Sequence, residues 1–388
     1  MSEERLVPKL RFKGFDDEWV IKRLDEISEI NPKTRELPEN FVYIDLDSVN
    51  NGILTKFNKI NKIDAPSRAQ RCLDLNDILF QTVRPYQMNN FFFELNDCDY
   101  VASTGYAQIK SQIFPRFLYY YLHYYKFVND VLNRCTGSSY PAINSTDLKK
   151  IKIKIPSSFN EQKLIGDLFH KIDKKIELLE NKYEYYQYFK KYLMQQIFTQ
   201  KLRFNFNDAW KTVKIKDIFD ERSEKGFLDL ELLSVTLNDG VIKRSEIESK
   251  DNSNENKSNY KHVLPGDIVY NSMRMWQGAS GVSPYEGIVS PAYTILIPKN
   301  VYSKYFGYYF KTNEMVYQFK KYSQGLTSDT WNLKYPLISE IKIKIPSIEE
   351  QKEITNVFEI MDEKIKILQN NIDELTTFKK GLLQQMFV

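Results

Sequence analysis

The residues best suited to chemistry are few and poorly spaced for it. Glu161 and Lys163, repeated as Glu350 and Lys352, come closest to a nuclease signature, in which a carboxylate would hold a metal ion. Neither copy has a convincing metal-binding partner, and both stand at a helix start, where capping accounts for the glutamate. His123, His170 and His262 lie far apart, without the H-E-x-x-H or Cys/His spacing that zinc requires. Cys72, Cys98 and Cys135 form neither a C-x-x-C pair nor a disulfide framework. No G-x-G-x-x-G or G-x-x-x-x-G-K-[ST] run offers a cradle for a dinucleotide or a nucleotide phosphate. An Asn or Asp followed by two prolines and an aromatic, the signature of adenine methyltransferases, is also missing. The expectation is a chain with no catalytic site, no metal and no bound cofactor.

Composition narrows the class. A length of 388 residues allows two or three domains. No apolar run approaches the ~20 residues that span a bilayer, and MSEERLVPKLRF lacks the apolar core of a signal peptide. A cytoplasmic protein with no membrane contact is expected. Net charge is only +4, and it is spread evenly: residues 1–150 carry 20 basic and 20 acidic groups, residues 201–340 carry 19 and 17. Neither segment is an electrostatic clamp for phosphates, which needs clustered Lys and Arg. The 26 Tyr and 25 Phe point to half-buried helix and sheet packing.

What must position any site is written twice. IKIKIP occurs at 151–156 and again at 341–346. Behind each copy runs a related segment, EQKLIGDLFHKIDKKIELLENKYEYYQYFKKYLMQQIF and EQKEITNVFEIMDEKIKILQNNIDELTTFKKGLLQQMF, with just under half the positions identical at an offset of 189. KLRFKGFDDEW at 9–19 matches KLRFNFNDAW at 201–210, and NDILFQTVR at 76–84 lines up with GDIVYNSMR at 266–274. Each half is a globular part followed by a long helix, which gives segments 1–156, 157–200, 201–346 and 347–388.

Ser158 and Ser347 stand three residues before Glu161 and Glu350, the capping-box spacing that starts a helix. Apolar residues then recur at alternating steps of four and three. They are Ile172, Ile176, Leu179, Tyr183, Tyr186, Leu193 and Ile197 in the first helix, and Met361, Ile365, Leu368, Ile372, Leu375, Leu382 and Met386 in the second. The pattern lapses once in each copy, at Lys190 and Lys379. Heptads in identical phase predict a coiled coil, and the repeated lapse argues against an amphipathic helix lying on its own domain. Connectivity puts the globular parts at opposite ends of a helix of roughly 57 Å. The second helix must run back antiparallel to bury its stripe. The expected architecture is a dumbbell with pseudo-two-fold symmetry. Its α/β (α+β) heads each have a mixed, twisted sheet (VYIDLDSV, DILFQTV, AQIK, IKIKIP; then ELLSVTL, DIVYNS, YTILIP, IKIKIP) and one aromatic-rich helical stretch, near 115–134 and 302–322. KDNSNENKSN at 250–259 is expected to be a solvated loop.

The doubled strand–EQ–helix and the segment PGDIVYNSMRMWQGASGVSPYEGIVSPAYTILIP at 265–298 resemble the specificity subunit of type I restriction–modification systems, over essentially the whole chain. The resemblance implies a non-catalytic DNA-binding subunit in antiviral defence. Its two target-recognition domains would each read half of an asymmetric, bipartite site in double-stranded DNA. Its helices would space the halves and dock two modification subunits that methylate adenine with S-adenosylmethionine. Restriction subunits using ATP and Mg²⁺ would complete the complex. A coiled-coil adaptor that spaces two protein-binding domains is the alternative.

Base edges are read by Arg on guanine, by Asn or Gln on adenine, and by small hydroxyls. Under that resemblance, the aligned strand ends offer Gln81, Thr82 and Arg84 in one head, and Asn271, Ser272, Arg274 and Trp276 in the other. The polar loops TGSSYPAIN at 136–144 and QGLTSDTWN at 324–332 add Ser138, Ser139, Tyr140 and Asn144, then Thr327, Ser328, Asp329 and Trp331. Any one of these serves a turn as readily as a contact. As sets they are assigned to contact.

Overall fold

The structure is a computed structural model that describes residues 5–96, 99–237, 239–248, 256–327 and 330–388. Most of the polar stretch at 250–259, with Cys98, Ser328 and Asp329, lies outside them. The chain packs into two compact units. One reaches to Asn181 and is completed by Asn370–Val388, and the other is Lys182–Gln369. Each unit therefore joins a head to part of each long helix.

The first long helix is unbroken over Phe159–Phe198, and the second over Ile348–Met386. At their starts, Ser158 Oγ accepts from the Glu161 N–H at 3.4 Å and Ser347 Oγ from the Glu350 N–H at 3.3 Å. That is one arm of the expected capping box, and the glutamates do not supply the other. The Glu161 carboxylate, 1% exposed, accepts from Arg11 Nε at 2.7 Å and Nη2 at 2.8 Å, and from Trp19 Nε1 at 3.3 Å. Glu350 repeats this with Arg203 at 2.9 and 2.8 Å and Trp210 at 3.2 Å. A buried carboxylate is better satisfied by a forked guanidinium than by one amide. The adjoining glutamines complete the joint. Gln162 accepts from the Phe114 N–H and donates to Pro156 O, and Gln351 does the same with Tyr302 and Pro346. The repeated E-Q pair fastens strand, aromatic helix and long helix at one point.

Within the first unit the helix segments run antiparallel: Phe169 stacks on Phe387 with centroids 5.8 Å apart, and Asp173 bridges Lys379 at 2.5 Å. The second unit repeats the arrangement, with Phe198 on Phe358 at 5.8 Å and Lys190 bridging Asp362. Every predicted stripe residue is buried or half-buried. The lapses are thus ion pairs. A leucine buried at such a place contributes about 1.5–3 kcal/mol, whereas a part-exposed ion pair contributes about 0.2–1 kcal/mol. Stability alone does not account for lysine there.

The alternation of IKIKIP turns Ile153 and Ile155, and Ile343 and Ile345, inward. These strands do not join a central sheet. Lys152–Ile155 pairs antiparallel with Val20–Arg23, and Lys342–Ile345 with Lys211–Lys214, as separate ribbons. The expected single sheet per head is instead several small ones. The first head has one four-stranded sheet in the order 58–61, 40–44, 100–103, 69–72, which is mixed because Tyr100–Ser103 runs parallel to Asn40–Ile44. Its second sheet, in the order 28–30, 106–111, 78–81, 91–92, is antiparallel. The second head keeps one antiparallel four-stranded sheet, in the order 219–222, 293–298, 268–271, 280–282, beside two short pairs. Strands of two to six residues end at tight turns with positive φ, such as Asn51, Gly52 and Asn76, before they can span one sheet.

Each aromatic stretch is likewise two helices: Pro115–Tyr121 and Tyr125–Leu132, then Ser303–Tyr309 and Asn313–Tyr322. In the second head Thr312 breaks the run by capping the later helix, its Oγ1 accepting from the Met315 N–H. The breaks let aromatic side chains face both the sheet and the long helices, which places most of them in the two large cores.

Candidate nucleic-acid interface

In the first head, strand Ile78–Gln81 runs out into Thr82, Val83 and Arg84 and a short 3-10 turn, Pro85–Gln87. The loop at 136–144 is closed on itself by two backbone hydrogen bonds between Thr136 and Ala142, at 2.9 and 3.0 Å. It is then tied to the strand end: the Ile143 N–H donates to Thr82 O at 3.0 Å, and the Arg84 N–H to Pro141 O at 2.7 Å. The second head repeats the closure and the first of these ties, while the Arg274 N–H donates to Asn271 O at 2.9 Å instead. Gln324 and Asn332 close the loop at 3.0 and 2.8 Å, and the Leu333 N–H donates to Ser272 O at 2.9 Å. The two predicted loops of each head therefore form one surface.

On that surface the Arg84 guanidinium lies 4.2 Å from the centre of the Tyr140 ring. Arg84, held by Pro141 O, has φ 54° and ψ 54°, a left-handed conformation that side chains rarely adopt, whereas Arg274 has φ −125°. Tyr140 is 63% exposed, beside exposed Ser138 and Ser139. In the second head Trp276 meets Trp331 edge-on at 5.4 Å, and Lys320 Nζ sits 5.5 Å over the Trp331 ring. Arg274 is exposed, and its side chain makes no ion pair or hydrogen bond among the described residues.

Other predicted contacts are turned to framework duty. Gln81, 2% exposed, donates to Val83 O and Gln87 Oε1 at 2.8 Å each and accepts from the Asn89 N–H at 3.1 Å. Thr82 Oγ1 donates to Gly105 O at 2.8 Å, and Ser272 Oγ to Ala292 O. These three residues sit at strand ends, where a buried polar side chain must find a partner inside. Asn271 accepts from the Met273 N–H, and Asn144 caps helix Ser145–Lys149 through the Asp147 N–H at 2.8 Å. Thr327 is exposed and bonded to Thr330.

Sequence reasoning missed the exposed apolar residues on the same segments, Tyr86 and Met88 after Arg84, Met273 before Arg274 and Leu326 in the second head's loop, and also Lys320 over Trp331. Nothing in their spacing distinguishes them from core residues.

Beneath the Arg84 loop, the His123 ring packs edge-on to Tyr119, with Nδ1 2.8 Å from Tyr119 O and Nε2 3.4 Å from the Asn90 amide. Burial, aided by Lys379, lowers its pKa to about 4. The folded state thus binds fewer protons than the unfolded chain, whose histidine titrates near 6.5. This contribution is complete above that value and fades as pH falls towards 4. At pH 5 the first unit is expected to lose about 1–2 kcal/mol relative to pH 7.5 through this group. Urea unfolding at both pH values checks this, and His123→Gln should flatten the difference.

No group of three or more His, Cys, Asp or Glu among the described residues could hold a metal ion. No helix among them is long and apolar enough to cross a membrane.

Residues 16–185 and 207–377 each match the family described as type I restriction modification DNA specificity domain. The chain belongs to that family. As a type I specificity subunit it carries two DNA-recognition domains, and the doubled loop frames above lie one in each. A curated relative, the type I restriction enzyme HindI specificity subunit of Haemophilus influenzae, is 28% identical over 149 residues, 36% of this chain. The match spans about a third of that relative's length, 31%. Among solved structures, the HsdS subunit from Thermoanaerobacter tengcongensis is 19% identical with a TM-score of 0.51, covering 96% of this chain and 97% of that one. The type I restriction–modification S subunit from M. genitalium is 16% identical with a TM-score of 0.61, covering 98% and 99%. At these identities they establish a shared fold.

Proposed function

We propose that this specificity subunit selects a bipartite site in double-stranded DNA, one head reading each half. The long helices set the spacing and dock two modification subunits, and restriction subunits join to cut unmodified DNA. One observation carries the reading. The same loop closure and strand-end tie occur in both heads, yet one presents Arg84 against Tyr140 and the other Arg274 two residues before Trp276, which meets Trp331. Related frames with different side chains are what two half-sites of different sequence require. An exposed guanidinium can take guanine O6 and N7 together, and aromatic or apolar neighbours suit the thymine methyl group. Half-sites about one turn, ~34 Å, apart suit reading heads spaced by helices. The even charge fits partners that supply much of the phosphate contact.

The test is to express the chain with its modification subunit and map methylated adenines. The expected result is one bipartite motif with a fixed gap. Absence of any motif would favour the adaptor reading. Native mass measurement of the complex should find two modification subunits per chain, and one or none would contradict the docking proposal.

A further inference from the structure

The lapses in the two apolar stripes are built alike. In the first unit Lys379 bridges Asp173 at 2.5 Å and lies 5.5 Å from the centre of the Tyr120 ring, whose hydroxyl donates to the same Asp173 at 2.8 Å. In the second, Lys190 bridges Asp362 and lies 5.1 Å from the Tyr308 ring, whose hydroxyl donates to Asp362 at 2.8 Å. Each triad takes its lysine from one long helix, its aspartate from the other, and its tyrosine from the aromatic helix of that unit's head.

We propose that these two Lys–Asp–Tyr triads are positioning residues that lock the sliding register of the helix pair, and so make the gap between half-sites single-valued. The proposal rests on the reading that the helices set that gap.

The physical ground is the difference between apolar and polar core positions. A stripe of Ile, Leu, Met and Tyr repeating every seven residues packs almost as well when one helix slides by a turn, because one knob resembles the next. Two lysines at core positions need two carboxylates in one register, and a polar core residue specifies register at a cost in stability. Here a slip of three or four residues one way would face Lys379 with Ile176 or Glu177 and Lys190 with Ile365 or Lys366; the other way it would face Lys379 with His170 or Phe169 and Lys190 with Glu359 or Phe358. In neither direction do both lysines meet a carboxylate, and each leaves its tyrosine ring. The tyrosine adds a second constraint, since it ties the same carboxylate to the head. Lysine and aspartate are only part-exposed, at 21–25% and 33–44%, so the pairs are sheltered enough to discriminate.

The experiment uses the full chain co-expressed with its modification subunit, read by methylation-site sequencing. The unaltered chain must first yield one bipartite motif. If it does not, the underlying reading fails, whatever the triads do. Lys190→Leu with Lys379→Leu is then expected to keep the same half-site bases while the fraction of methylated sites with a longer or shorter gap rises at least tenfold. Exchanging the charges in both triads (Asp173→Lys, Lys379→Asp, Lys190→Asp, Asp362→Lys) should return a single gap. A single gap in the leucine variant, or equal broadening in the exchanged one, overturns the proposal. If the leucine variant methylates nothing, Tyr120→Phe with Tyr308→Phe decides: a broadened gap supports the lock, and an unchanged one overturns it.

Discussion

Glu161→Gln is expected to destabilise the first unit by about 3–5 kcal/mol, the range for removing one partner of a buried ion pair. Arg11 keeps only 10% of its side chain exposed, and its Nη1 already lacks a hydrogen-bond partner. Without the carboxylate, its charge stays inside with half its bonds unmade. The amide oxygen can still serve Arg11 Nε and Trp19, which share one carboxylate oxygen, but the amide NH2 then faces Arg11 Nη2. The second copy sets an internal control: Arg203 is 24% exposed and donates as well to Asp208 O, so Glu350→Gln should cost less. Replacing Arg11 and Glu161 together by Met should recover most of the loss, because two apolar groups leave no charge behind. A chain of two units need not unfold in one step, so hydrogen exchange resolved by unit is the suitable measurement. Equal losses for Glu161→Gln and Glu350→Gln would show that the greater exposure of Arg203 does not weaken the second cluster, and no loss in either would show that these clusters do not hold the long helices to the heads.

Arg274→Ala is expected to weaken recognition about 5- to 150-fold at one base pair in one half-site, the effect of about 1–3 kcal/mol from a bidentate guanine contact. Its side chain is exposed and free of internal bonds among the described residues, so folding should change by less than about 0.5 kcal/mol. Arg84→Ala should affect the opposite half. It also removes the ring contact with Tyr140 and a side chain held at positive φ, so Tyr140→Leu is needed beside it to separate reading from support. Binding to sites mutated one base at a time, with circular dichroism for folding, gives the answer. If a folded Arg274→Ala variant keeps every base preference, the arginine does not read bases. If it loses both halves equally, the heads do not work separately.

The two halves, the two long helices and their antiparallel sense were legible in the chain before folding. Internal identity at a fixed offset is visible without coordinates, and a heptad stripe records one face of a helix directly. The paired loops were legible too, since one loop of each pair follows the repeated strand at 78–81 or 268–271 and the other precedes IKIKIP. Orientation at single residues was not. Gln81, Thr82 and Ser272 carry the same polar groups whether they face solvent or a neighbouring carbonyl, and only the fold decided that they face inward. Sheet membership was hidden because strands of a few residues choose partners by geometry rather than by pattern. The local capping signal at Glu161 gave way to Arg11, 150 positions away, because a guanidinium delivers two charged hydrogen bonds where an amide delivers one. Lys190 and Lys379 show the same division. Periodicity marked them as exceptions, but only the tertiary structure, by bringing an aspartate and a tyrosine to each, decided what the exceptions hold together.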